Sequence, residues 1–254
     1  YLVRRLLENG ANTSFVNRLA DDEAPIAEII ADPVVEVGKL TALPHPRIPL
    51  PADIFPGRRN SSGHAMWDDA TRERFVRGID EVTAVPIAAS AIVNGNAVKS
   101  GPVRTITSPQ DRRVRLGEVR EADDAAVARA MAAAASAQHG WDLKGGVARA
   151  AILERAADLY EANSIRLMAL LVREAGKTLD NAMADLREAV DFLRYYAQRC
   201  RAEFAGPVLL PGPTGERNEI SLHGRGVFAF FVPYTFPAAI FTGQVAAALA
   251  AGNS

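Results

Sequence analysis

The second half of the chain repeats apolar residues at helical spacing. The pattern predicts four helices, which run from about Asp124 to Gln138, from about Val147 to Glu161, from the capping pair Asn163/Ser164 to Glu174, and from about Leu179 to Glu203. The fourth carries an apolar stripe formed by Ala189, Phe192, Leu193 and Tyr196. We therefore expect a layer of closely packed helices.

A different pattern follows these helices. The continuous apolar run Val227–Val232 predicts a strand that is buried on both faces, as in parallel sheets. After the loop Pro233–Phe236, Pro237 opens an apolar helix, Ala238–Ala251, which Gly252 closes. Ligands of parallel α/β sheets bind at the carboxyl ends of the strands. The predicted fold class is therefore α/β, and the loop is a candidate ligand-binding segment.

Two further predicted strands, Pro207–Leu210 and Glu219–His223, flank the turn-rich segment Pro211–Glu216 and indicate a β-hairpin. An isolated hairpin is only marginally stable in water. We therefore expect residues 207–223 to pair with another subunit or domain, most simply in a homo-oligomer.

The first half of the chain is less regular. The pattern indicates a helix end at Tyr1–Glu8, a helix that begins at Asp21/Asp22 and that Pro33 terminates, a proline-rich stretch from Thr41 to about Asn60, and a short helix at Trp67–Arg77. We expect the proline-rich stretch to be an extended connector rather than a packed element.

Composition narrows the class of protein. The 254 residues are 48% hydrophobic and 23% charged, with a net charge of -1, as expected of a soluble globular protein of one or two domains. Near-zero charge gives no reason to expect nucleic-acid binding. The single cysteine suits a reducing cytoplasm, and the four histidines lack metal-ligand spacing. Because the chain opens in mid-helix without a methionine, we expect an internal piece of a longer polypeptide.

Two signatures carry a family resemblance. The run Tyr1–Arg18 resembles the last barrel helix of bacterial proline dehydrogenases. The second half resembles the amino-terminal part of an aldehyde dehydrogenase. The matching segments are Arg173–Leu179, Arg187–Phe192, Tyr195–Ala197, Leu210–Glu216, and a last one that begins with Phe241–Gln244 and continues to Gly252–Asn253. In this order the two signatures resemble the junction of the bifunctional proline utilization A family.

The resemblance implies an architecture and two reactions. Residues 1–40 would end a (β/α)₈ proline dehydrogenase barrel, residues 41–96 would form a connector, and residues 97–254 would begin a Rossmann-like aldehyde dehydrogenase domain with helices and a β-hairpin. In the family, an FAD-containing barrel oxidises L-proline to pyrroline-5-carboxylate, which hydrolyses to glutamate semialdehyde. An NAD-dependent domain then oxidises that aldehyde to L-glutamate. Two questions are left open by the sequence: whether a DNA-binding segment precedes Tyr1, and whether the longer polypeptide contacts a membrane peripherally and passes electrons to quinone.

Arg4 and Arg5 are the candidate substrate-binding residues of the proline half. Their spacing alone favours a solvated helix end, because neighbours on a helix diverge by about 100°. The resemblance implies instead that both guanidinium groups bind the carboxylate of proline. It also implies that Tyr1 packs over the proline ring and that Glu8 lies near the flavin.

The second candidate site is Pro233–Pro237. Aldehyde dehydrogenases usually carry Pro-Trp-Asn-Phe-Pro here, and the asparagine amide donates a hydrogen bond to the developing oxyanion. Thr235 stands in the asparagine position and Tyr234 in the tryptophan position. A threonine hydroxyl reaches less far, so we hypothesise that aldehyde oxidation is weakened. The alternative is that Thr235 merely satisfies the helix N-terminus.

The same resemblance assigns Phe231, Val232, Pro233 and Tyr234 to contacts with the NAD cofactor. Cys200 lies on an amphipathic helix and is interpreted as structural, since the family nucleophile belongs to a later segment. Lys177, in Gly176-Lys177-Thr178, lacks the upstream glycines of a phosphate-binding loop.

We expect no independent activity from the chain. A rival interpretation from another class is a non-catalytic aldehyde dehydrogenase-like assembly module.

Overall fold

The computed structural model describes residues 19–42 and 48–254, and the chain divides into two compact units, Tyr1–Leu50 and Pro51–Ser254. The described part of the first unit contains two short helices, α1 (Ile26–Ile29) and α2 (Pro33–Gly38). The prediction that a helix runs from Asp21/Asp22 to Pro33 is wrong, because Pro33 starts a helix rather than ending one. Asp32 Oδ1 accepts a hydrogen bond from Val34 N at 2.8 Å, and proline at the first helical position needs no N–H partner.

The second unit is α/β. Its described elements are a 3₁₀ turn (Pro51–Asp53), α3 (Asp69–Thr83), β1 (Ile87–Ser90), β2 (Ile92–Val93), β3 (Asn96–Ala97), β4 (Val103–Thr107), β5 (Arg115–Arg120), α4 (Asp124–Leu143), α5 (Gly146–Ala162), α6 (Ser164–Arg173), α7 (Leu179–Glu203), β6 (Val208–Leu210), β7 (Asn218–Ile220) and α8 (Pro237–Ala250). The four predicted helices are confirmed as α4 to α7, with α4 continuing to Leu143. The short helix expected near Trp67 is the longer α3.

Three small sheets accompany the helices. β1 pairs with β5 in parallel, and β4 pairs with the other edge of β5 in antiparallel fashion. β2 and β3 form a two-residue hairpin. The predicted hairpin is confirmed as β6 and β7, with Val208 opposite Ile220. The side chains of β6 are exposed, so this hairpin lacks a covering layer within the described residues.

Helix α7 is the centre of the core. On one side its residues Met183 and Leu186 pack with Phe75 and Ile79 of α3 and with Met168 of α6. Further along, it packs against α5 and α8 in a second cluster, whose members are Ala150, Leu153, Ala157, Val190, Leu193, Ala197, Cys200, Ala246 and Ala250. The many alanines let these helices approach closely. Burial of α7 along both clusters fixes α8, and with it the loop that precedes α8.

The prediction of a buried strand at Val227–Val232 is wrong for the described chain. This segment is extended but is not part of a regular sheet, and Phe231 is 91% exposed. One parallel bridge is present: Phe228 N donates to Ser254 O at 2.8 Å, and Ser254 N donates to Gly226 O at 3.1 Å. A strand needs a neighbour along its length, and within the described residues only Ser254 reaches this one. The following helix is confirmed, with Pro237 first.

The end of the proline-rich stretch is not a loose connector, contrary to the prediction. Ser61 N and Oγ both donate to the Asp191 carboxylate of α7 at 2.8 Å. Ser62 N donates to Glu161 Oε1 of α5 at 2.7 Å, and Arg194 donates to both Glu161 Oε2 (2.7 Å) and Asn60 O (3.1 Å). Hydrogen bonds in which one partner is a charged side chain compensate for the few apolar residues in this segment. The segment is therefore held against α5 and α7 by hydrogen bonds.

Glu161 makes folding stability depend on pH. Burial alone would raise its pKa, but hydrogen bonds from Arg194 and Ser62 and the charge of Arg194 lower the pKa below the ordinary value of about 4.3. A lowered folded-state pKa contributes stability above the unfolded pKa and loses it as pH falls through the folded value. We expect Glu161→Gln to lower the urea midpoint at pH 7, with the difference shrinking as pH falls below the ordinary glutamate pKa and through the lowered folded-state pKa. Exposed Glu73→Gln serves as control, and a pH-independent difference would contradict this assignment.

Candidate functional site

The Pro233–Pro237 loop joins the extended segment to α8. Tyr234 is 87% exposed, Thr235 is exposed, and Phe236 is half-buried at the N-cap of the helix. Thr235 forms no hydrogen bond with any residue of the described chain. Its hydroxyl is therefore available to a ligand, at the positive end of a 14-residue helix.

Asp185, rather than Thr235, satisfies the N-terminus of α8. Its Oδ1 accepts a hydrogen bond from Ala239 N at 2.8 Å, and the N-cap residue Phe236 contributes no side-chain bond. The alternative interpretation of Thr235 as the residue that satisfies this helix end is therefore not supported. The cap comes from α7, a separate helix, and the Asp185 side chain is 0% exposed.

Lys177 completes this arrangement from the turn between α6 and α7. Gly176 adopts a φ of 70°, which turns the chain so that Lys177 N donates to Leu171 O at 3.1 Å. Lys177 Nζ lies 3.1 Å from Asp185 Oδ2, an ion pair without hydrogen-bond alignment, and 3.8 Å from the centroid of the Phe236 ring. One lysine thus contacts both the buried carboxylate and the last loop residue before Pro237.

A cavity of about 660 Å³ lies beside the loop. Its lining residues are Pro109, Leu167, Leu170, Leu171, Glu174, Ala175, Tyr234, Pro237 and Ala238. The walls are mostly apolar, and Glu174 is the only charged side chain among them. A cavity of this kind suits a small ligand with an aliphatic chain and one cationic group.

Cys200 takes no part in this site. The side chain is buried, and its Sγ lies 3.2 Å from Gly146 O and 3.1 Å from Ala250 O. Burial raises the pKa of its thiol despite the nearby charge of Arg149. A buried thiol with a raised pKa is a poor nucleophile, which supports the structural interpretation.

The candidate proline-site residues Tyr1, Arg4, Arg5 and Glu8 lie outside the described residues. Within residues 19–42 and 48–254, no group of three or more histidine, cysteine, aspartate or glutamate side chains could hold a metal ion. No helix in those same ranges is both long and apolar enough to span a bilayer.

The described residues fit part of a nucleotide site. Phe231, Val232, Pro233 and Tyr234 are all exposed, and they lie just before the N-terminus of α8. Exposed aromatic and aliphatic side chains suit contact with the flat nicotinamide ring of a dinucleotide. They could hold NAD from one side only.

Sequence reasoning missed Asp185 and underrated Lys177. The missed signal was an acidic residue on the buried face of α7, where Ala182, Leu186 and Ala189 surround it at helical spacing. A carboxylate at such a position requires a partner. Lys177 was compared only with phosphate-binding loops, whereas its partners are Asp185 and Phe236.

Comparison with known proteins gives the family. Residues 98–254 match the aldehyde dehydrogenase family. The chain is 44% identical over 269 residues to bifunctional protein PutA of Klebsiella aerogenes, covering 100% of this chain and 19% of the relative. It therefore spans about a fifth of the length of the curated PutA relatives it matches.

Solved structures agree. Proline utilization A from Bdellovibrio bacteriovorus, inactivated by N-propargylglycine, matches with a TM-score of 0.77 and 32% identity over 100% of this chain and 26% of that one. A point mutant of Thermus thermophilus 1-pyrroline-5-carboxylate dehydrogenase matches with a TM-score of 0.72 and 28% identity over 79% of this chain and 39% of that one. The resemblance to proline utilization A is confirmed along the chain, which belongs to the aldehyde dehydrogenase family.

Proposed function

We propose that this chain supplies the first part of an NAD-dependent aldehyde dehydrogenase acting on glutamate semialdehyde, within a bifunctional proline-catabolic polypeptide of the cytoplasm. The observation that carries the proposal is the Pro233–Pro237 loop, which presents an unpaired hydroxyl at a helix N-terminus beside an apolar cavity, in a chain of this family. Relatives named 1-pyrroline-5-carboxylate dehydrogenase indicate the substrate class.

Each part of the site has a role in this reaction. NAD would supply the hydride acceptor, once a nucleophile from a later segment of the longer polypeptide has added to the aldehyde carbon. Phe231, Val232 and Pro233 would shield one face of the nicotinamide from water. Thr235 would donate its hydroxyl proton in a hydrogen bond to the carbonyl oxygen as negative charge develops there. Glu174 would pair with the ammonium group of the amino-acid aldehyde, with the α-carboxylate of the substrate turned away from this side chain.

The proline half of the function rests on the first residues of the chain. Arg4 and Arg5 would bind the carboxylate of L-proline through their planar guanidinium groups, with Tyr1 over the ring and Glu8 near FAD. The β6–β7 hairpin would join copies of the protein. Its exposed Val208, Leu209 and Ile220 are apolar side chains that a second copy could cover.

A chimera tests the proposed function. This chain replaces the matching segment of the Klebsiella aerogenes PutA protein, and the purified chimera is assayed for NADH formation from glutamate semialdehyde and for oxidation of L-proline. We expect both activities, with aldehyde oxidation roughly 10²–10³ slower than in the unaltered relative because of Thr235. The 254-residue chain alone is the control and should turn over neither substrate. A folded chimera that oxidises proline but never the aldehyde would favour the assembly module.

A further inference from the structure

Lys177 and Asp185 form a buried ion pair in an otherwise apolar layer. The lysine side chain is 9% exposed and the aspartate 0% exposed, and the aspartate neighbours on α7 are Ala182, Met183 and Leu186. Replacing a buried pair by apolar residues is often neutral or stabilising, because both charges must be desolvated. The pair is therefore poorly explained as a device for stability alone.

Both partners contact the loop of the candidate site. Asp185 Oδ1 accepts from Ala239 N, which fixes the first turn of α8 against α7. Lys177 Nζ lies over the Phe236 ring, a cation–π contact that is strong when the cation is desolvated. The pair therefore restrains the chain at two positions. One is Phe236, which directly follows Thr235, and the other is Ala239, the third residue of α8.

We propose that Lys177 and Asp185 are positioning residues for Thr235, acting through Phe236 and the first turn of α8 without touching the substrate. The inference rests on the proposed function, because it concerns the placement of the oxyanion donor. Asp185 fixes the helix end and orients the lysine, while Lys177 fixes the aromatic ring that anchors the exposed loop. The rest of the loop has few internal restraints, since Pro233, Tyr234 and Thr235 are exposed.

Hydrogen–deuterium exchange of the 254-residue chain tests the structural half without any activity. We expect Asp185→Ala to increase the exchange rate of the Ala239 amide by roughly tenfold or more, because a hydrogen bond to a charged acceptor is lost. The amide of Ala246, in the middle of α8, should be unaffected. Asp191→Asn is the matched control, since Asp191 lies on the same helix but holds Ser61. Equal exchange at Ala239 in the parent and Asp185→Ala chains would overturn the proposal.

Kinetics of the chimera test the positioning role. Lys177→Met with Asp185→Asn removes both charges together, leaves no unpaired ion, and retains an amide oxygen that can accept from Ala239 N. We expect the thermal midpoint of this double variant to stay near that of the parent, while kcat for aldehyde oxidation falls roughly 10²-fold, the cost of a small misplacement. KM for NAD should be unchanged.

The conservative variant Lys177→Arg, which keeps a cation over Phe236, should recover part of kcat. A double variant that matches the parent in kcat, or one that loses kcat only in proportion to its folded fraction, would show that the pair is structural. If the unsubstituted chimera does not oxidise the aldehyde, the proposed function fails, and the exchange of Ala239 still decides whether the pair orders the loop.

Discussion

Thr235→Asn in the chimera should raise kcat for glutamate semialdehyde oxidation by roughly 10²–10³, the range lost when a single oxyanion donor is removed. The threonine hydroxyl is unpaired within the described chain and stands at the N-terminus of α8, but it is shorter than an asparagine amide. The longer asparagine side chain would carry its amide donor further from the backbone of the loop than the threonine hydroxyl reaches. The gain should appear in kcat, because the bond strengthens as charge develops on the substrate oxygen.

The measurement is a steady-state assay of NADH formation at saturating NAD. Thr105→Asn, an identical change on exposed β4, is the matched control and should leave kcat unchanged. An unchanged kcat in Thr235→Asn, with the chimera folded, would mean that Thr235 does not occupy the oxyanion position. Activity that is absent in both forms would instead favour a non-catalytic module.

The helices were predictable because each combines two independent signals. α7 shows an apolar stripe and begins after Thr178, whose hydroxyl accepts from Asn181 N at 3.3 Å. α8 begins with Pro237 and is followed by Gly252, whose φ of 83° favours glycine. Local signals of this kind do not depend on distant parts of the chain.

Tertiary partners decided the features that were missed. Val227–Val232 has the composition of a buried strand, but a ladder requires a neighbouring strand, and the described chain provides only Ser254. Ser61 and Ser62 carry no pattern that predicts their bonds to Asp191 and Glu161, which lie 130 and 99 residues further along the chain. The candidate loop was located from sequence, whereas the contacts of Asp185 with Ala239 and of Lys177 with Phe236 could be found only from the structure.

Arg149→Met should lower the free energy of unfolding by about 3–5 kcal/mol, as expected when one member of a buried ion pair is removed. Arg149 Nη1 lies 3.9 Å from Asp142 Oδ1, and both side chains are largely buried. Arg149 is 1% exposed. It donates to Asp142 O at 2.6 Å, near the end of α4, and to Ala250 O at 3.2 Å, at the end of α8. Methionine preserves much of the apolar stem but no donor, so both carbonyl groups lose a partner in a dry environment.

Urea titration of the 254-residue chain, followed by far-UV circular dichroism, measures this loss. The control is Arg201→Met, which breaks a half-exposed pair with Glu154 on the surface and should cost about 0–1 kcal/mol. Equal midpoints for the two variants, at equal denaturant dependence, would contradict the assignment of Arg149 as the tie between α4 and α8.

Loss of Arg149 should also weaken the hydrogen bonds that hold Val227–Val232, the extended segment before the loop. Burial alone would raise the pKa of Asp142, but hydrogen bonds from Gly224 and His223 and the charge of Arg149 lower it. Asp142 thus fixes residues 223–224, while Arg149 fixes the helix end that leads to Ser254, the partner of Phe228. Because both ends of that parallel bridge depend on one arginine, the Phe228 amide should exchange faster in Arg149→Met than in Arg201→Met at a pH where both remain folded.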